Sequence, residues 1–120
     1  MDILLSSLIL FFSSTKVVSV STQYENINQT IYREFKNEAP TAQGVFFCES
    51  GLKARAVSKT GDYGVSQINL SAHRNKVPGE TDQQKIDWLF NFQNNLKLAK
   101  YIYDTSGFYP WVCAKKLGII

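Results

Sequence analysis

Histidine is nearly missing from this 120-residue chain, with His73 its only one, and cysteine is confined to Cys48 and Cys113. That scarcity closes several routes. Gly64-Val65-Ser66-Gln67 begins like a nucleophile elbow, but the closing glycine is absent and His73 is the only histidine available as a base, so serine-based catalysis is not expected. Two cysteines and one histidine also leave too few ligands for zinc, so neither a metal nor another cofactor is expected. His73 is expected on the surface. No basic run is interleaved with aromatics, and a formal net charge of +3 falls short of a nucleic-acid signature. Internal repeats, low-complexity tracts and internal linkers are missing as well. The one long hydrophobic run, Ile3 to Phe12, has the length of a signal-peptide core and is too short to cross a bilayer comfortably.

Residues 1–20 therefore read as a secretion signal. A retained membrane anchor running on towards Val20 is the alternative, because Asp2 stands where a basic residue is usual and Val17 to Ser21 lacks an Ala-x-Ala pattern. Residues 21–120 keep the net charge of +3, since Lys16 and Asp2 cancel, and a modest positive balance suits anionic surfaces such as cell walls. With 44% hydrophobic and 13% aromatic content, this part can form one folded domain. In an exported domain an even pair of cysteines suggests one disulfide, Cys48 to Cys113, worth roughly 4 kcal/mol in the chain-entropy picture. Two buried free thiols are the alternative.

Helical spacing dominates. Tyr24, Ile27, Ile31 and Phe35 recur every three or four residues, which predicts a helix from about Tyr24 to Asn37. Pro40 opens a second helix that runs to Glu49 and is stopped by Gly51. Thr81 caps a short helix ending near Trp88 or Leu89, and Asn91 caps a last long one, Phe92 to about Ser106, stopped by Gly107. This helix reads as core scaffold, with a role for Asn94 and Asn95, on its first turn, in lining a groove as the alternative. Between Leu52 and Leu70 the helical period disappears, and Gly61 and Gly64 punctuate a β-like segment around Tyr63 to Ile68 that reads as a small hairpin.

Two carboxylates stand out. Glu49 follows the apolar run Val45-Phe46-Phe47 and shares a helix face with Ala42, Val45 and Phe46; such neighbours disfavour a charged carboxylate and suit an acid that holds its proton. Asp62 lies thirteen positions on, among Gly and Tyr. Two carboxyl groups in unlike surroundings are the minimum equipment for cleaving a glycosidic bond, one protonating the leaving oxygen and the other stabilising the developing cation. Tyr63, Tyr109 and Trp111 have rings able to stack on sugars, although packing in the core is the more common fate of an aromatic.

Glu49-Ser50-Gly51-Leu52, then Ala56-Val57-Ser58, then Gly61-Asp62-Tyr63-Gly64-Val65-Ser66-Gln67-Ile68-Asn69 resembles the soluble lytic transglycosylase branch of the lysozyme-like superfamily. Asp62-Tyr63-Gly64 with Gln67-Ile68-Asn69 is also similar to the matching segment of animal c-type lysozymes, and weaker likeness continues through Asn95, Ala99 and Gly107 to Pro110-Trp111. The resemblance implies a mostly α, α+β lysozyme-like fold, in which a cleft between a helical body and a small β-hairpin lobe binds a peptidoglycan strand. It implies Glu49 as the catalytic acid for the bond between N-acetylmuramic acid and N-acetylglucosamine, with Ser50, Tyr63, Gln67 and Asn69 orienting it or holding substrate. Three outcomes stay open: a lytic transglycosylase, a hydrolytic lysozyme that uses Asp62 as second carboxylate, or a non-catalytic glycan-binding domain. The expected setting is secreted or extracytoplasmic, with a monomer acting on the wall.

Overall fold

A computed structural model describes residues 19–120. The expected signal or anchor, residues 1–20, lies outside them except for its last two positions. Those two are already structural: Ser19 accepts the Thr22 N–H and caps helix α1, Val20–Phe35, four residues ahead of the sequence-based start. The helix buries Ile27, Thr30, Ile31 and Phe35 along one stripe. It ends at Lys36, whose φ of 52° opens a 3₁₀ turn, Lys36–Glu38, in place of the helical continuation expected to Asn37.

Helix α2, Ala39–Ser50, carries Pro40 in its first turn, where a missing N–H costs nothing, and is ended by Gly51 in the left-handed conformation at φ 65°. Ala42, Val45 and Phe46 are its buried residues beyond Ala39, so the spacing seen in the sequence corresponds to a real inner face. Strands β1, Asp62–Tyr63, and β2, Ile68–Asn69, pair antiparallel with Asp62 opposite Asn69 and Tyr63 opposite Ile68. The segment predicted as β-like is thus two short strands around a turn, residues 64–67. One helical turn, α3, Leu70–His73, follows, capped by the Asn69 side chain. Thr81 and Gln84 form a reciprocal capping box at the start of α4, Asp82–Phe90, and Asn91 caps α5, Phe92–Ser106, as anticipated. A last short helix, α6, spans Val112–Lys116.

The mostly helical α+β architecture expected of the sequence is the one observed. The body is α1 packed on α2 and α5, with α6 against α2 and the hairpin beside α4. Phe46, fully buried, meets Phe35 edge-on at 5.4 Å and Trp111 at 5.6 Å between ring centroids. This cluster seats the carboxyl-terminal end of α2, where the chemistry is expected.

Candidate active site

Glu49 occupies the last turn of α2, at the rim of the buried face made by Val45 and Phe46, and is itself half-buried. Its Oε2 accepts the backbone N–H of Cys113 at 3.0 Å, across 64 positions of sequence. Among the described residues Oε1 has no hydrogen-bond partner. The disulfide Cys48–Cys113 is formed, and it ties the residue before Glu49 to the residue whose amide holds the carboxyl. Ser50 turns the other way. Its hydroxyl donates to the Phe46 carbonyl at 3.1 Å and to the Val65 carbonyl at 2.5 Å, joining the end of α2 to the hairpin turn.

That turn is held from two more sides. Trp111 Nε1 donates to the Ser66 carbonyl at 2.8 Å. Asn95, fully buried, accepts from the Ser66 N–H and hydroxyl at 2.9 and 2.6 Å and donates to the carbonyls of Tyr63 and Leu89 at 2.9 and 3.0 Å. Asn95 is therefore part of the core scaffold that the sequence favours and does not line a groove: both ends of its amide are spent inside the protein, where an unpaired polar group would be costly. Its neighbour Asn94 is half-buried and donates to the Trp88 carbonyl at 3.3 Å. Gly64, at φ 82°, is required here because a Cβ would run into the Asn95 amide and the Leu89 carbonyl.

Asp62 organises the outer edge of the hairpin. Its Oδ2 accepts the hydroxyls of Ser58 and Thr60 at 2.5 and 2.8 Å, and its Oδ1 accepts the Asn69 amide at 3.0 Å. Partial burial pushes its acidity the other way, but these donors outweigh it and hold the carboxyl below its ordinary range. The remaining sequence-predicted residues are also engaged. Gln67, at φ 56°, donates to the carbonyls of Ala56 and Gly64, both at 3.1 Å; Asn69 serves Asp62, the Thr60 carbonyl and the cap of α3; the Tyr63 ring meets Phe90 edge-on at 6.0 Å. Trp111 is only 4% exposed and belongs to the core, whereas Tyr109 is 77% exposed.

Two hollows open where the chain enters and leaves this region. One, of about 450 Å³, is lined by Tyr109, Trp111, Val112 and Lys115, just ahead of and around Cys113. The other, of about 670 Å³, is lined by Tyr24, Ile27, Leu52, Arg55, Phe90 and Phe92, beginning three residues after Glu49. Glu49 itself lines neither. Tyr24 donates its hydroxyl to the Gly51 carbonyl at 3.0 Å, so the second hollow shares a wall with the end of α2, and the Arg55 guanidinium lies 4.5 Å over the Phe90 ring.

His73 departs from the sequence expectation: it is half-buried with an unpartnered Nδ1, and burial with nearby Lys76 disfavours its charged form. Among the described residues no group of three His, Cys, Asp or Glu side chains is placed to hold a metal ion. Sequence reasoning missed two features, the Cys113 amide on Glu49 and the Asn95 hub. The first carries no side-chain signal at all; the second had one in Gly64, whose forced conformation demands a close neighbour.

The family model of the transglycosylase SLT domain matches residues 26–111, a span that holds Glu49, the hairpin, Asn95 and Trp111. No curated protein and no solved structure matches the chain.

Proposed function

This chain belongs to the transglycosylase SLT domain family, and from that premise we propose that it is an extracytoplasmic lytic transglycosylase that cuts the β-1,4 bond between N-acetylmuramic acid and N-acetylglucosamine, with Glu49 as its acid and base. The supporting observation is the two-sided state of the Glu49 carboxyl: one oxygen is fixed by the Cys113 N–H, while the other has no partner among the described residues and is available to substrate. In this reading the protonated Glu49 gives its proton to the glycosidic oxygen as the bond to muramic C1 breaks. The carboxylate left behind then takes the proton of the muramoyl 6-hydroxyl as that oxygen closes on C1. The product is a 1,6-anhydro sugar, Glu49 ends protonated again, and no water is consumed.

The bonding of Asp62 favours this chemistry over hydrolysis. A second catalytic carboxylate would have to face the sugar, and the oxygens of Asp62 are occupied by Ser58, Thr60 and Asn69. Asp62 is read instead as the ionised brace of the hairpin. Ser50, Gln67 and Asn69 act in the same way, fixing the segment that faces the end of α2, and Tyr63 presents its ring beside Phe90.

The test is Glu49→Gln, which keeps the shape of the side chain and removes its proton chemistry. Clearing of purified cell walls is expected to fall by at least about a hundredfold, with the thermal melt unchanged. Clearing at the wild-type rate would refute the role of Glu49, and wall binding without any soluble product from the wild type would point to a non-catalytic glycan-binding domain.

A further inference from the structure

We infer that the Cys48–Cys113 disulfide is the positioning device of the Glu49 carboxyl, and that glycan cleavage by this chain is therefore turned down by thiol reduction. The inference rests on the acid/base role proposed for Glu49.

Both halves of the bond bear on the same side chain. Cys48 is the covalent neighbour of Glu49 in the last turn of α2, and Cys113 supplies the N–H that fixes Oε2 at 3.0 Å. Besides the disulfide itself, the element that carries this donor is seated on α2 by one fully buried side chain, Ala114. Helix α6 has five residues, far fewer than a helix needs to persist alone, and its N-cap Trp111 makes no side-chain capping bond. Upstream, by contrast, the chain stays anchored without the disulfide: Trp111 is buried, bonded to the Ser66 carbonyl at 2.8 Å and packed on Phe46 and Phe108. Loss of the disulfide leaves that segment tied only by Ala114, by the Ala114 N–H on the Trp111 carbonyl at 3.1 Å and by the Glu49 contact itself, so it can shift while the core behind it stays seated. What is lost first is the fixed distance between the Cys113 amide and Glu49.

The bond is open to a reagent from one side. Cys48 is exposed, whereas Cys113 is 4% exposed. A dithiol reductant attacks as thiolate at the Cys48 sulfur, the sulfur–sulfur bond breaks, and Cys113 leaves as thiolate and takes a proton. The second thiol of the reductant then displaces Cys48 from the mixed disulfide. The protein gains two electrons and two protons, and the reductant departs as its own cyclic disulfide.

The experiment compares the oxidised full chain with the same chain in excess dithiol, following muropeptide release and near-ultraviolet circular dichroism together. The reduced chain is expected to stay folded, with kcat lower by about tenfold or more, KM within twofold, and full recovery on reoxidation. An unchanged kcat in the folded reduced chain overturns the inference, as does a change confined to KM. Unfolding on reduction would reveal a bond that sustains the whole fold and would overturn it equally. In the oxidised chain, the Cys113 amide proton resonance is expected to shift with pH in the wild type and to lose that response in Glu49→Gln; no response in the wild type overturns the contact itself. The proposed role of Glu49 fails separately, if oxidised Glu49→Gln still cleaves.

Discussion

At Glu49 the side chain and its setting were legible to different degrees. An acid directly after Val45-Phe46-Phe47 and before Ser-Gly announced a carboxyl at the end of an apolar helix face, because helical spacing and a glycine stop are local signals. The amide that holds it comes from a residue 64 positions away and leaves no trace in residue type. Asp62 shows the converse case. It is as visible in the sequence as Glu49, yet its three donors make it a structural anion. Because its pKa is held below the ordinary value, it stabilises the fold above the range where an unfolded aspartate titrates, and that contribution is lost as pH falls through the lowered folded value. Thermal melts are accordingly expected to drop below about pH 4, and Asp62→Asn is expected to flatten that part of the profile; an identical profile in the variant would contradict the bracing role.

Among the elements, the long helices with a readable cap or period are legible in the sequence, and the contacts that join them are not. The caps of α4 and α5 were readable because Thr81 and Asn91 act within three residues of themselves. Helix α1 begins four residues ahead of its apolar period, because the serine that caps it lies in the stretch that reads as an exported leader. Helix α3 is a single turn, too short for a period to declare itself. The hairpin was anticipated from its glycines, but its bond to α5 was not: a polar residue on the first turn of a helix reads as exposed, and only the hairpin lying across it makes Asn95 buried. Two substitutions test this joint. Gly64→Ala forces a side chain into a left-handed position costing about 1–2 kcal/mol before any clash with Asn95, so its urea midpoint is expected to fall clearly. Trp111→Phe keeps a ring against Phe46 and deletes the bond to Ser66; with that carbonyl left unpaired, a loss of about 1–3 kcal/mol is expected. Neither variant shifting the midpoint would mean the turn is held by other contacts.

For the whole molecule, the family sets the substrate as peptidoglycan and hence an extracytoplasmic site of action, with which the formed disulfide accords. No helix among the described residues is long and apolar enough to cross a membrane. A net charge of +3 favours approach to an anionic wall. The core is drawn from every long helix, and Phe46 sits where α1, α2 and the Trp111 segment meet. Phe46→Ala is expected to cost about 3–5 kcal/mol and to lower activity in step with the folded fraction; full stability in that variant would contradict the central place of this cluster. The chemistry is tested most directly by a mass spectrum of the muropeptides released from purified walls. The expected result is 1,6-anhydromuramoyl ends from the wild type and no soluble product from Glu49→Gln. Ordinary reducing ends from the wild type would contradict the transglycosylase reaction.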